Sequence, residues 1–254
     1  MKTLKMFGVL LCFILFSISI TAQENNNSQM YLIHVDPVKP SMLSEYEKTA
    51  SKFVKMCKDN NFSQNFTTLV TEDNKYYYIS PLKNFAELDK DPMASLREKV
   101  GAEEFGKVFR DFDKCYDVHQ DFVLTLDNEL SYMPDGMTTT IEGENYRENT
   151  RYYFSPADTE KAEEVAKAFK KFYSDNNIKT HYRVYRSGFG AEGSYFMVAV
   201  AAKDAMDMER KNAEARKAMG SKVEELNANL NKILLKTETM RGWIRPDLSY
   251  VANK

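Results

Sequence analysis

Histidine and cysteine are scarce in this chain, three of each in 254 residues, and there is a single tryptophan. The scarcity excludes several chemistries. No Cys/His run has zinc spacing, no H-E-x-x-H is present, and no Cys-x-x-Cys offers a redox pair. A P-loop and a Ser-His-Asp order are also missing. Charge of one sign is lacking too: 35 Lys and Arg face 37 Asp and Glu, without the basic surplus that marks a nucleic-acid partner.

The apolar run from Met6 to Ile20 is shorter than the roughly 20 residues a spanning helix needs. It follows Lys2 and Lys5 and ends in Thr21-Ala22, the charged, apolar, small-residue order of a secretory signal. The expectation is a signal over residues 1–22, cleavage after Ala22, a polar tail over residues 23–29, and a periplasmic or secreted chain with no stable membrane insertion. A membrane anchor is the competing reading, opposed by the length of the run and by the polar QENNNSQ after it. Cys12 sits among bulky Leu10, Leu11 and Phe13, where a lipidation site would want small residues. Without Lys2 and Lys5, 33 basic residues face 37 acidic ones, a net charge near −4. An aromatic content of 13% supports packed cores rather than disorder.

The tripeptide Asp59-Asn60-Asn61 returns as Asp175-Asn176-Asn177. At this offset of 116, Pro40 also meets Pro156, Glu47 meets Glu163, Ala50 meets Ala166, Phe53 meets Phe169 and Lys55 meets Lys171. Further on the offset becomes 118, where Phe105 meets Val223, Val108 meets Leu226, Phe112 meets Leu230, Cys115 meets Ile233, and Leu130-Ser131-Tyr132 meets Leu248-Ser249-Tyr250. The change falls where TEDNK (71–75) is replaced by the longer SGFGAEGS (187–194), a turn that tolerates insertion. Tyr46, Ala50, Phe53 and Cys57 mark one helical face, repeated by Ala162, Ala166, Phe169 and Tyr173. Proline opens each helix. Asp-Asn-Asn closes it, because asparagine tolerates the left-handed conformation that ends helices.

Two strand-like runs follow each helix, FTTLVT and YYYIS in the first copy and HYRVYR and YFMVAVA in the second. Then come a second helical region and a long strand, at about 117–132 and 236–250. With opening strands at YLIHV (31–35) and RYYF (151–154), each copy reads βαββαβ, the ferredoxin-like order. Two such units in one chain resemble the dimeric α+β barrel superfamily, whose nearest look-alikes are the antibiotic-biosynthesis monooxygenases and the NIPSNAP-like proteins. The resemblance covers Tyr31 to Val251 and rests on element order, without the signature motif of any one member. It implies an α+β fold with repeat 1 at residues 30–133, a linker at 134–147 and repeat 2 at 148–251. The two sheets would face each other as an intramolecular barrel, helices outside, in a monomeric pseudo-dimer or a weak homo-oligomer.

Gly188-Phe189-Gly190-Ala191-Glu192-Gly193 spells G-x-G-x-x-G, but a strand follows it rather than the helix a pyrophosphate needs, so it reads as a hairpin turn. In the fourth strand of repeat 1, Val118, Phe122, Leu124 and Leu126 alternate with His119, Asp121, Val123 and Thr125. In repeat 2, Met240 and Ile244 alternate with Thr239, Arg241, Trp243 and Arg245. The aliphatic sets are expected on the helices and the others between the sheets, joined by His181, Arg183 and Tyr185. The strands of repeat 1 carry His34, His119 and Asp121 and no arginine, whereas those of repeat 2 carry Arg151, Arg183, Arg186, Arg241 and Arg245. Two readings follow. Arg183, Arg241, Trp243 and Tyr185 hold a small anionic or aromatic ligand between the sheets, or the arginines staple the sheets by salt bridges and nothing binds.

His34 and His119 fall on neighbouring antiparallel strands. With Asp121 they are the weak candidates for a catalytic base and its orienting carboxylate, or part of a metal site; ordinary strand histidines are the alternative. No metal or cofactor is assigned. Relatives that hold haem do so through a helical histidine, and all three histidines here read as strand residues. Cys57 and Cys115, near the ends of two helices expected to run in the same direction, form a disulfide or two buried thiols. The leading functional reading is a binding protein; the alternatives are a cofactor-independent oxygenase or isomerase and an interaction module without ligand.

Overall fold

The computed structural model describes residues 28–252; the expected signal and its cleavage site lie outside the described residues. Repeat 1 runs β1 (Ser28–Pro37), α1 (Leu43–Asp59), β2 (Thr67–Thr71), β3 (Lys75–Leu82), α2 (Ala94–Val100), α3 (Ala102–Asp113) and β4 (Gln120–Tyr132). Repeat 2 follows with β5 (Tyr146–Phe154), α4 (Thr159–Asp175), β6 (Tyr182–Ser187), β7 (Ser194–Ala202), α5 (Ala205–Met219), α6 (Lys222–Asn231) and β8 (Leu234–Ile244). The opening strand of repeat 2 thus starts at Tyr146, earlier than RYYF indicates. The last strand stops at Ile244, because Pro246 opens a 3-10 turn, Pro246–Leu248.

The repeated tripeptide does the same work in both copies. α1 and α4 are each 17 residues long, each entered through a 3-10 turn that begins at a proline, Pro40 or Pro156. Asn60 Nδ2 donates to Met56 O and Asn176 Nδ2 to Phe172 O. Asn61 and Asn177 both adopt φ +48°. The next amides, of Phe62 and Ile178, reach back to Cys57 O and Tyr173 O, which closes the left-handed helix end. Between the repeats the strand register refines the sequence alignment. Leu69 pairs with Tyr77 and Tyr185 with Met197, so the offset rises to 120 across the third strands before settling at 118.

All eight strands close into one antiparallel barrel in the order β1-β3-β2-β8-β5-β7-β6-β4. The sheets do not merely face one another; they join edge to edge at two seams, β2 with β8 and β4 with β6. At each seam the end of β4, or the segment that follows β8, passes into the other repeat. Leu130 and Tyr132 are buried beneath α4 with Tyr182, Val184 and Ile233, whereas Leu248 and Tyr250 are buried beneath α1 with Phe53, Phe62 and Phe66. The serine between them bonds the partner strand: Ser131 Oγ accepts from Val184 N at 2.8 Å, and Ser249 Oγ from Thr68 N at 2.9 Å. Arg245 adds an ion pair across the same boundary, its Nη1 2.6 Å from Glu47 Oε1.

The phase of the fourth strands is the reverse of the sequence expectation. Phe122 and Leu124 point into the barrel with Ile33, Val35, Leu69 and Met197, joined by Met240 and Ile244. The alternate residues, Asp121 and Arg241 among them, face outward. The reason is that the lumen of an eight-stranded barrel is narrow enough to be filled by side chains, so it takes the aliphatic set. A shift in the β4–β6 register between Asp127 and Tyr132 then turns Leu130 and Tyr132 to the outside, under α4.

Cys57 and Cys115 are buried and free. The expectation of parallel helices fails here. β1 and β4 are antiparallel, so α3 ends where α1 begins, and Cys115 O accepts from Lys39 N just ahead of α1. Cys57 lies at the other end of α1, about 20 Å away at 1.5 Å per residue, too far for a disulfide.

Two substitutions probe the seams. A Cβ at Gly242 would lie 2.1 Å from Val70 O across the β2–β8 pairing, so Gly242→Ala is expected to destabilise by about 1–3 kcal/mol. Leu130→Ala leaves a cavity under α4 and is expected to cost about 2–5 kcal/mol. Urea unfolding followed by circular dichroism measures both; a midpoint unchanged in either variant contradicts the seam geometry.

Candidate functional site

Alternation along β5 and β6 places Arg147, Asn149 and Arg151 of one strand and Arg183 and Tyr185 of the next on the lumen side. One end of the lumen is packed by Tyr77, Phe122, Tyr153, Tyr195 and Met197. Arg151 lies over the rings of Phe122 and Tyr195, and its Nη1 is 3.8 Å from Glu238. The other end holds a cavity of about 190 Å³ bordered by Tyr31, Asn65, Thr139, Arg147, Asn149, Arg183 and Tyr185.

Arg147 and Arg183 are 5% and 3% exposed. Their hydrogen bonds go to main-chain carbonyls of the β4–β5 connector: Arg147 donates to Glu144 O and, more weakly, Thr139 O, as well as to Tyr146 O, and Arg183 Nη1 donates to Thr138 O at 3.0 Å. Among the described residues no carboxylate forms an ion pair with either. Glu144, whose charge reaches Arg147, is itself held by Lys211 Nζ at 2.6 Å. Burial, reinforced by the like charge of Arg183, lowers the Arg147 pKa to about 10. Among the described residues, Arg183 Nε and Asn149 Oδ1 are buried without a hydrogen-bond partner. The Tyr31 hydroxyl is pushed up to about 12, by burial first and then by Tyr185. An unpaired buried cation is costly; two side by side give this end of the lumen the chemistry of an anion site.

The four sequence-assigned ligand residues therefore divide. Arg183 and Tyr185 line the cavity. Arg241 lies outside the barrel on Glu148 at 2.8 Å, and Trp243, 42% exposed, stands edge-on to Tyr146. Arg186 and Arg245 are also outside and paired to carboxylates. The stapling reading describes Arg186 and Arg245, whose partners Asp127 and Glu47 belong to repeat 1, but not Arg241, which pairs within repeat 2, or Arg183. Arg147 was missed because the strand was begun too late; its place four residues before Arg151, on the same face, was the available signal.

His34, His119 and Asp121 do come together, on the outer face at the rim of repeat 1 rather than in the lumen. His34 Nδ1 is 2.9 Å from Asp121 Oδ1 and Nε2 is 3.0 Å from Asp36 Oδ1, while the His119 ring stands edge-on at 5.3 Å. Burial alone would lower the His34 pKa, but Asp121, which it hydrogen-bonds, and the adjacent Asp36 carboxylate outweigh it and raise it to about 9. His181 sits just ahead of β6, 3.9 Å from Asp135.

A larger cavity, about 540 Å³, lies outside the barrel between the repeat 2 sheet and helices α4 and α6. Its origin is visible in the alignment. Where repeat 1 has the packed rings of Tyr46, Phe105 and Phe112, repeat 2 has Ala162, Val223 and Leu230. Tyr182, 7% exposed, borders this space with a buried hydroxyl that has no hydrogen-bond partner among the described residues.

No family model matches the chain, and no curated protein matches it in sequence. Solved structures match in shape. An anthrone oxidase-like protein is 9% identical with a TM-score of 0.56, over 85% of this chain and 91% of that one. A candidate monooxygenase from Lactobacillus acidophilus is 10% identical at 0.53, over 89% and 100%, and another from Fusobacterium nucleatum is 9% identical at 0.53, over 86% and 93%. The likeness is one of fold: a closed eight-stranded α+β barrel built from two ferredoxin-like units.

Restoring a ring in the larger cavity tests its origin. Val223→Phe is expected to fill space and raise the melting temperature while reducing the fluorescence of an apolar dye bound to the native protein. Unchanged dye binding would show that the dye does not enter here.

Proposed function

We propose that this chain is a binding protein for a small organic anion, held at the polar end of the lumen by Arg147 and Arg183. The observation that supports the reading is the pair of buried guanidinium groups without a carboxylate partner. Arginine suits it because its planar fork meets a carboxylate with two parallel hydrogen bonds. Asn149 and the ring edges of Tyr31 and Tyr185 complete the walls. At about 190 Å³ the cavity is below the ~300–1,000 Å³ usual for drug-sized ligands. A small carboxylate fits that scale; a dinucleotide or tetrapyrrole does not. Apart from Tyr146 O in β5, the carbonyls that hold the two arginines belong to the β4–β5 connector, which forms one wall of the site. The signal-like order of residues 1–22 supports placing the activity outside the cytoplasm.

His34 and His119 border neither cavity, so a base at that position does not reach a ligand in the lumen. A second reading is favoured by the apolar cavity and the unpartnered Tyr182 hydroxyl: cofactor-independent oxidation of an aromatic molecule beneath α4 and α6. The names of the solved neighbours support it at the level of fold alone. Oxygen uptake with a polycyclic phenol, abolished in Tyr182→Phe, would carry it; no uptake would remove it.

Isothermal titration with a panel of small carboxylates, and inorganic phosphate as a comparison, tests the leading reading. Arg183→Met and Arg147→Met are each expected to weaken binding about 10- to 100-fold, the loss of a charged hydrogen bond. Without ligand, Arg183→Met should leave the melting temperature unchanged or raised, since it removes an uncompensated charge; a large fall would mean that the arginine only clips the connector. Arg147 must keep its proton to hold an anion, so affinity should be steady up to pH 9 and fall as pH passes about 10. No binding by any anion in the panel would overturn the proposal.

A further inference from the structure

Asp36 is 3% exposed, and its two oxygens are treated differently. Oδ2 accepts from the Tyr46 hydroxyl at 2.6 Å, and that hydroxyl in turn lies 3.0 Å from the Tyr78 hydroxyl. Oδ1 receives no hydrogen bond of proper direction, although His34 Nε2 stands 3.0 Å away. On the far side of the ring, Nδ1 meets Asp121 Oδ1 at 2.9 Å. When Nδ1–H donates to Asp121, Nε2 and Asp36 Oδ1 face each other at 3.0 Å, and either a second ring proton or a metal ion can lie between them. His119, exposed and 5.3 Å from His34 ring to ring, brings a third donor to the same point. One donor atom each from His34, Asp36 and His119 lie within 4.8 Å of one another.

We propose that these three side chains bind one divalent transition-metal ion. Asp121 acts as the outer carboxylate that fixes the His34 tautomer and ring plane, and Tyr46 performs the same service for Asp36. Two imidazoles and one carboxylate suit zinc, cobalt, nickel or copper and disfavour calcium and magnesium, which take oxygen ligands. Donors at about 2.0–2.2 Å from one ion lie closer together than the widest spacing here; rotation of the exposed His119 ring closes the difference. With three protein ligands, a solvent or substrate position remains.

The second repeat supplies an internal control. At the aligned positions His34 becomes Thr150, Asp36 becomes Tyr152, His119 becomes Thr237, Asp121 becomes Thr239 and Tyr46 becomes Ala162. The same strand pairing that joins His34 to Asp121 joins Thr150 to Thr239, hydroxyl to hydroxyl at 3.0 Å. Ligands and their supporting groups are present together in one copy and absent together from the other. A framework requirement of the strand pairing alone would not separate the copies in this way.

The test uses untagged protein stripped with a chelator and titrated with zinc chloride alone by equilibrium dialysis, with cobalt chloride as the spectroscopic probe. One ion per chain is expected, with visible cobalt bands of four- or five-coordinate intensity. His119→Ala, a surface change that leaves the barrel intact, should weaken zinc binding at least 10-fold, and Asp121→Asn about 10-fold. Thr239→Ala should leave it unchanged. Zinc binding that is absent, equal in His119→Ala, or outcompeted by equimolar calcium would overturn the proposal; circular dichroism of each variant separates loss of the site from loss of fold.

Discussion

The barrel depends on the exchange of strand ends between its two halves. Each fourth strand, in repeat 2 together with the 3-10 turn after β8, leads into the other repeat and delivers a leucine and a tyrosine to its helix-covered core, with a serine hydroxyl bonding the receiving strand in between. Neither helix layer is complete without it. Phe53, Phe62 and Phe66 pack against Leu248 and Tyr250 from the far end of the chain. The hydrophobic term that orders one repeat is therefore shared with the other, which makes the 225 described residues one cooperative unit rather than two beads. The lumen follows from the same exchange, because the two seams that close it are the places where the fourth strands cross.

On this common frame the two halves have diverged. Repeat 1 fills its helix–sheet layer with aromatic rings and keeps its polar chemistry at the rim, around His34 and Asp36. Repeat 2 has lost ring volume in the corresponding layer, which opens the larger cavity, and has placed its buried cations in the lumen. Salt bridges account for most of its arginines: Arg186, Arg241 and Arg245 all rest on carboxylates at the surface. Among the described residues, Arg147 and Arg183 are the buried arginines of this repeat, and neither has such a partner.

Much of the fold was legible because it is periodic and written twice. Helix length, the Asp-Asn-Asn stop, the hairpins and the ferredoxin-like order all follow from short-range rules applied to both copies. The face of the fourth strand was not legible. Period two gives two sets of residues without saying which is inside, and an aliphatic lumen with a polar rim has the same alternation as a polar lumen with an aliphatic exterior. That single reversal moved Arg241 and Trp243 out of the site. His34 and Asp121 were found because adjacency in a strand order does not depend on phase. Arg147 was lost to a strand boundary, and the choice between a disulfide and two buried thiols stayed open because helix direction, like that boundary, is fixed by topology rather than by local sequence.

The lumen of a symmetric dimer is a shared room in which every substitution appears twice. Arg147 and Arg183 align with Tyr31 and Thr67, and both of these line the same cavity. In a homodimer of repeat 2 alone, the equivalent space would hold four guanidinium groups, a repulsion that a single small anion could not offset. Joining the copies in one chain removes that doubling. Half of the wall can become cationic while the other half stays neutral, and the ligand is free to lie off the axis that relates the two repeats. Covalent duplication is thus the condition under which this barrel can have one site instead of two half-sites.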